Sequence, residues 1–473
     1  MNLVEILTGY QSTIAPEGLE VIGSIDGLEA TGLSFDSREV QTGNIFFCIS
    51  GGTHDGHEYA MQAIEHGAVA VVTERDLMVS VPQIIFDDTR EAMGYISCAY
   101  FGFPSRELDV VGVTGTNGKT TTTHLIASVL NTAGIPCESI GTLTGALTTP
   151  EAPDLQRQFR SLVDGGIRSV VMEVSSHALS QHRVAGTEFD VGVFTNLSQD
   201  HLDFHSDIEE YFETKCSLFA ANRCRSAVVN IDDPYGLRLA KQIDIETYKT
   251  STDAIEIKGE IFTGSSIIWR EHAIELQISG RFNIENALLA ASTCLLLGID
   301  ENQIVNGLEA AEPIPGRFEV IDGYEGAPTV IVDYSHTPAG IENVLQAVRK
   351  ISPEVGLTIV FGCGGNRDSS KRPKMARAAE MLADRVIVTS DNPRYEDPLE
   401  IIDQTMSGFI SPNSVIVEED REAAIRAAIE SSGSDEVIVI AGKGAETTQE
   451  ICGKVKPFDD RVIAEQALQG AKG

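Results

Sequence analysis

The stretch from Asp109 to Gly134, DVVGVTGTNGKTTTTHLIASVLNTAG, runs from apolar residues through a polar glycine loop into a helical pattern. Read as strand, loop and helix, it offers backbone N–H groups and a helix N-terminus to phosphate oxygens. Lys119 adds charge, and the Thr120 hydroxyl can contact magnesium. ATP binding is therefore expected at Gly115, Thr116, Asn117, Gly118, Lys119, Thr120 and Thr121. The spacing is irregular: a strict phosphate loop has glycine five positions before Gly118, where this chain has Val113, and the preceding glycine is Gly112.

Alternation continues on the C-terminal side. SVVMEVSS and DVGVFTNLS read as buried strands, IEEYFETKCSLFAA as a helix, residues 255–282 as a hairpin-like region and NIENALLAASTCLLLG as another helix. After about Gly326 the rhythm restarts with APTVIVDY, GIENVLQAVRKI, LTIVFG, KMARAAEMLAD, RVIVTS, DPLEIIDQTM, SVIVEE, REAAIRAAIES and EVIVIAG. That is the pattern of a doubly wound sheet. Its polar segments CGGNRDSSKRP, SDNPRYEDP and AGKGAET each follow a strand, where open parallel sheets place ligands. The fold class is α/β in three domains: an N-terminal α/β unit (1–105), a central P-loop ATPase-like unit (106–325) and a C-terminal Rossmann-like doubly wound unit (326–473).

Composition narrows the setting. Against 35 basic residues stand 70 acidic ones, a net charge of −35, which opposes phosphate-backbone binding to nucleic acid. Anionic substrates must be held by local cations. The chain opens MNLVEILTGY without a basic leader, and its longest apolar stretch, residues 287–299, is shorter than the ~20 residues a membrane span needs. A cytoplasmic protein, working as a monomer, is expected. Eight cysteines without CxxC spacing read as reduced thiols.

TGTNGKTT resembles the loop of the Mur ligases and folylpolyglutamate synthetases, amide-forming ATPases. EVSSHALSQHR (173–183), NLSQDHLDFH (196–205), ETK (213–215), GRFNIENALLAA (280–291), PGRFE (315–319) and DYSHTP (333–338) follow in Mur ligase order. FDSREVQTGNIFFCISGGTHDGH (35–57) resembles the family's uridine-nucleotide domain, which folylpolyglutamate synthetases lack. DNPRYEDP (391–398) is similar to a motif of members that use meso-diaminopimelate.

The resemblance implies roles for individual residues. Ser37 would contact the UDP-sugar; Thr148, Thr149, Ser175, Gln181 and Arg183 would contact the rest of UDP-MurNAc-L-Ala-D-Glu. Asn283, Asn286, Arg317, Asp333 and His336 would line the ATP site. Arg367, Asp391, Asn392, Pro393, Arg394, Gly442 and Glu446 would bind diaminopimelate, whose second carboxylate suits a bidentate guanidinium at Arg394. Thr120, Glu173 and His201 would hold Mg²⁺. Lys215, carbamylated in Mur ligases as N6-carboxylysine, joins Lys119 and His201 as a catalytic candidate. One departure is Ala445, in GKGAE where the family usually has GKGHE.

Taken alone, several of these residues have plainer readings. Glu173 could be an ordinary strand-end carboxylate, His201 a loop residue, Lys215 a solvated lysine and Asn286 a satisfied core amide. With the family, the expected reaction is ATP-dependent addition of meso-diaminopimelate to UDP-MurNAc-L-Ala-D-Glu through an acyl phosphate, in peptidoglycan synthesis. A lysine-adding or later-acting ligase of the same family, and an ATP-dependent switch or binding protein, stay open.

Overall fold

A computed structural model describes residues 1–12, 19–52, 54–145 and 147–470. Thr53, within the 35–57 segment, lies outside the described residues.

The N-terminal sheet has five strands in the order Glu20–Ile22, Gln83–Ile85, Ala70–Thr73, Asn44–Phe47 and Gly32–Ser34. The first pair is antiparallel and the rest are parallel. Leu3, Ile6 and Tyr10 of the first helix, Leu3–Gln11, and Met93 and Ile96 of helix Thr89–Tyr100, bury against this sheet.

The central sheet is parallel throughout, in the order Glu246–Thr250, Cys224–Asn230, Phe189–Phe194, Asp109–Thr114, Ser169–Glu173 and Cys137–Ile140. Strand Asp109–Thr114 lies inside it, buried on both faces after Asp109, which explains its unbroken apolar run. Helix Lys119–Thr132 packs its Leu125, Ile126, Val129 and Leu130 against helix Arg281–Leu296 and the sheet. The hairpin-like region is a three-stranded antiparallel sheet, Glu256–Ile261, Gly264–Trp269 and His272–Leu276. The predicted helix around IEEYFETKC ends at Cys216, and a short 3₁₀ turn, Ser217–Phe219, replaces its last residues.

The C-terminal sheet runs Glu319–Ile321, Thr329–Asp333, Glu436–Ala441, Gly356–Phe361, Arg385–Val388 and Ile416–Val417. All pairs are parallel except the first. SVIVEE contributes only the exposed two-residue edge strand Ile416–Val417, and Glu418 and Glu419 continue its contact with the neighbouring strand end through single backbone bonds to Val388 O and from Ser390 N. The antiparallel strand Glu319–Ile321 joins this sheet although it precedes residue 326. Three residues of EVI carry too little periodicity to be read as a strand.

Two glycines of the phosphate loop are dictated by geometry. Gly115 has φ +146° and Gly118 φ +85°, and a Cβ would stand 1.9 Å from the Thr195 hydroxyl at the first and 2.3 Å from Asn286 Oδ1 at the second. Gly118→Ala should therefore destabilise the fold by about 1–3 kcal/mol, combining left-handed strain with the clash. Urea unfolding checks this; an unchanged midpoint would contradict it.

Candidate functional site

Gly118 precedes helix Lys119–Thr132 without a side-chain cap, so the helix's first N–H groups face the loop cavity. The strand end at 194–196 braces the loop: Thr116 N donates to Asn196 O at 2.9 Å, Asn117 N to Asn196 Oδ1 at 3.0 Å and Thr195 Oγ1 to Asn117 O at 2.6 Å. Lys119 Nζ curls back to the carbonyls of Gly115 (3.0 Å) and Thr116 (2.9 Å).

Lys215 reaches the same Gly115 carbonyl at 2.9 Å from helix Ile208–Cys216. Its side chain is buried, and Nζ sits 4.5 Å over the Tyr211 ring. Burial, with the Lys119 charge beside it, pushes its amine well below the ordinary lysine range. Burial lowers Lys119 as well, although Glu173 and Asp200 oppose the shift.

Glu173, at the end of strand Ser169–Glu173, is buried and accepts from Thr120 Oγ1 at 3.0 Å and Thr142 N at 2.9 Å. Arg317 Nη2 donates to Thr120 Oγ1 at 3.1 Å and its guanidinium lies 4.3 Å over the Tyr334 ring. Arg317 thus carries charge from the PGRFE segment into the phosphate loop.

Asp200 is a junction that reading the sequence passed over. Its buried carboxylate meets Lys371 Nζ at 3.0 Å, His336 Nε2 at 3.5 Å and His201 Nε2 at 3.5 Å. Burial alone would raise this carboxyl, but the His336 hydrogen bond and the His201, His336 and Lys371 charges hold it well below the usual range. Both Asp200, in QDH, and Lys371, in SSKRP, sit in polar strand-end segments, which is the signal that could have found them.

A cavity of about 270 Å³ opens between the central and C-terminal sheets. It gathers Thr116 to Thr120, Thr148, Glu173, His201, Arg317, His336, Arg367, Asp391, Asn392, Arg394, Gly442 and Glu446. An adjoining cavity of about 230 Å³ is lined by Asn117, Gly118, Thr121, Asn283, Asn286, Arg317 and Asp333, with Asn230 and Glu285 at its wall. Asn283 and Asn286 are buried; Asn286 accepts from Thr122 Oγ1 at 3.4 Å and Asn283 donates to Ser279 O at 2.7 Å. Asp333 accepts from Phe318 N and Ser335 N, each at 2.8 Å.

Arg394 has φ +53° and its Nη1 donates to Gly365 O at 2.7 Å. Asn392 donates to Glu446 Oε2 at 2.8 Å, and buried Lys443 donates to both, at 3.1 and 2.9 Å. Gly442, at φ +123°, lets this turn lie against Asp391, since a Cβ would stand 2.5 Å from Asp391 Oδ2. Gly316 packs on the backbone of Ala445, where a Cβ would come within 2.1 Å of its nitrogen. Nothing in the structure explains alanine at 445.

The expected dipeptide contacts lie beside this cavity. Thr149 Oγ1 donates to Glu173 O at 2.9 Å, and Ser175 Oγ caps the short helix Ser176–Ser180. Arg183 bonds Gln181 at 2.8 Å and Thr149 O at 3.0 Å, and pairs with Glu151 at 2.9 Å. Ser37 lies in the N-terminal unit, where its hydroxyl bonds Gln62 at 2.9 Å.

Fold and site together define a phosphate-loop α/β protein with a cation-lined cavity between two sheets. Family models match along the chain: the Mur ligase family catalytic domain at 29–100, the Mur ligase middle domain at 113–294 and the Mur ligase glutamate ligase domain at 316–444. The chain belongs to the Mur ligase family. It is 44% identical over 463 residues to the UDP-N-acetylmuramoyl-L-alanyl-D-glutamate--2,6-diaminopimelate ligase of Geobacillus thermodenitrificans, covering 92% of this chain and 94% of that protein. The ligase of the same name from Aquifex aeolicus is 42% identical, covering 93% and 94%. A solved structure of such a ligase superposes with a TM-score of 0.67 at 30% identity, covering 98% of this chain and 99% of that one. The MurF ligase of Thermotoga maritima in complex with ADP shares the fold, with a TM-score of 0.65 at 19% identity over 94% of this chain and 99% of that one.

Three histidine rings meet edge to face behind the cavity: His177 lies 4.8 Å from His201, which lines it, and 6.1 Å from His205 between ring centres. Burial lowers all three, His201 to about 3. In the unfolded chain each binds a proton near pH 6.5, so the folded state binds fewer protons below that pH. Their contribution favours the fold above pH 6.5 and is lost as pH falls towards 3. The melting temperature of the ligand-free chain should fall between pH 7 and pH 5 and fall less in His201→Gln; equal slopes would contradict this.

Proposed function

We propose that the chain is an ADP-forming ligase that joins meso-diaminopimelate to UDP-MurNAc-L-Ala-D-Glu. The observation that carries this reading is one cavity lined by both the phosphate loop and the segment with Arg394, next to Glu446. ATP transfers its γ-phosphoryl group to an oxygen of the D-glutamyl carboxylate, releasing ADP. The amine of diaminopimelate then attacks the acyl carbon, forms the amide bond and expels phosphate. A reaction that consumes ATP fits a cytoplasmic setting. Among the described residues, no helix is long and apolar enough to cross a membrane.

The chain's own groups would divide the work. Lys119 swings from the Gly115 and Thr116 carbonyls to the β- and γ-phosphates, and Arg317 and Lys371 neutralise charge developing on the phosphoryl group. Arg394 pairs with the distal carboxylate of diaminopimelate and Glu446 with its ammonium, while Arg367 takes the carboxylate near the reacting amine. Arg183 and Thr148 orient the dipeptide. Asn283 and Asn286 face the nucleoside, with Asp333 and His336 on its ribose and phosphate side.

Thr120 and Glu173 set hard oxygen donors 3.0 Å apart beside the loop, which suits Mg²⁺. Among the described residues no three His, Cys, Asp or Glu side chains gather as a cage, in keeping with an ion held by one or two protein oxygens and by phosphate. Bound there, with His201 nearby, Mg²⁺ would offset phosphate charge. Lys215, whose amine is driven towards neutrality, can add to CO₂ and become a carbamate, exchanging a cation for an anion in the same pocket.

Phosphate release with ATP, Mg²⁺ and the UDP-MurNAc-dipeptide should require an amino acid and be fastest with meso-diaminopimelate. Release independent of any amino acid would favour a switch instead. Arg394→Asn should lower the preference for diaminopimelate over lysine by about tenfold or more; an unchanged ratio would remove Arg394 from specificity. Carbon-13 bicarbonate should give a carbamate resonance in the native chain that Lys215→Met lacks, and its absence from both would overturn the modification.

A further inference from the structure

Arg421 opens helix Arg421–Glu430, and Asp460 opens the last helix, Asp460–Gly470. Both side chains are 0% exposed. Nε of Arg421 donates to Asp460 Oδ1 at 2.8 Å and Nη2 to Oδ2 at 2.7 Å. A guanidinium has five N–H donors, so this pair leaves some to spare. Arg421 spends them on two backbone carbonyls: Nη2 reaches Ala441 O at 3.0 Å and Nη1 reaches Ser390 O at 3.3 Å.

Those carbonyls sit at the roots of two loops. Ala441 ends strand Glu436–Ala441 and is followed by Gly442 to Glu446; Ser390 precedes Asp391 to Arg394. The strands feeding the loops are not neighbours, because Gly356–Phe361 lies between them. At their roots the two loops therefore share no strand pairing, and only beyond Glu446 does the chain return to the first loop, through an isolated bridge between Arg394 and Ile451 in which Arg394 N donates to Glu450 O at 3.1 Å. Arg421 bridges that gap from beneath, and above it Asn392 and Lys443 complete the contact with Glu446.

We infer that Arg421, held by Asp460, is a positioning residue for amino-acid selection. It fixes the spacing between the loop that presents Arg394 and the loop that presents Gly442 and Glu446, and so the simultaneous fit of a distal carboxylate and ammonium. This rests on the proposed diaminopimelate-adding reading. A purely structural ion pair predicts something different: altered stability, with unchanged substrate constants in any variant that folds.

The test uses the full chain carrying Arg421→Met together with Asp460→Leu, which removes both buried charges at once and so avoids leaving one unpaired. A second variant, Arg421→Lys, keeps a cation for Asp460 but cannot fork to both carbonyls. The Michaelis constant for meso-diaminopimelate should rise about tenfold to a hundredfold, as for a small misplacement of binding groups. Constants for ATP and the UDP-dipeptide should stay within about twofold, and the kcat/KM ratio of diaminopimelate to lysine should fall. Folded variants with native diaminopimelate constants and ratio would overturn the inference, and Arg421→Lys decides it if the double variant does not fold. Failure of the underlying reading is distinguishable, because the native chain would then show no diaminopimelate-dependent phosphate release.

Discussion

Lys119 and Lys215 both donate to the carbonyl oxygen of Gly115, from different helices, inside a chain with a net charge of −35. Two ammonium groups sharing one carbonyl in a buried pocket repel each other and are poorly solvated, and both are pushed towards neutrality. On the proposed reading an incoming phosphate would relieve that arrangement by drawing Lys119 away, and a carbamate on Lys215 would relieve it by reversing a charge. Much of the surrounding structure answers the same crowding. Glu173 and Asp200 are buried carboxylates set near these cations, and Arg317 adds a further positive charge reaching in from beyond the central sheet.

The same balance ties two sheets into one site. Asp200 leaves the central sheet's strand-end loop and is met by Lys371 and His336 from the C-terminal unit. Arg317 bonds Thr120, and Gly316 rests on the turn that contains Ala445. The phosphate loop and the segments with Arg394 and Glu446 therefore share a cavity although they lie more than two hundred residues apart in the chain. The proposed reaction between two anions would gain from this, since the cations are already placed.

Much of this was legible in the sequence, for reasons that differ by residue. The Asp109–Thr114 strand and its loop were legible because a fully buried strand, a left-handed glycine pair and an uncapped helix start each demand particular residues. The C-terminal strands and helices were legible by their alternation. Arg394 and Glu446 lie in polar segments that follow parallel strands, and it was the family resemblance of those segments that singled out the two residues. Arg421 and Asp460 did not stand out, because a charge that will be buried beside a partner far along the chain looks locally like any surface charge, and Asp200 and Lys371 carried only the weaker signal of lying in polar strand-end segments. The edge strands Glu319–Ile321 and Ile416–Val417 were too short to carry a period.

The central claim is that the phosphate loop serves carboxylate activation. It is tested most directly by supplying UDP-MurNAc-L-Ala-D-Glu labelled with oxygen-18 in both D-glutamyl carboxylates and analysing the released phosphate by mass spectrometry. Transfer of one labelled oxygen into phosphate during amide formation is the predicted result. Amide formation with unlabelled phosphate would contradict an acyl-phosphate route and the roles assigned to the loop.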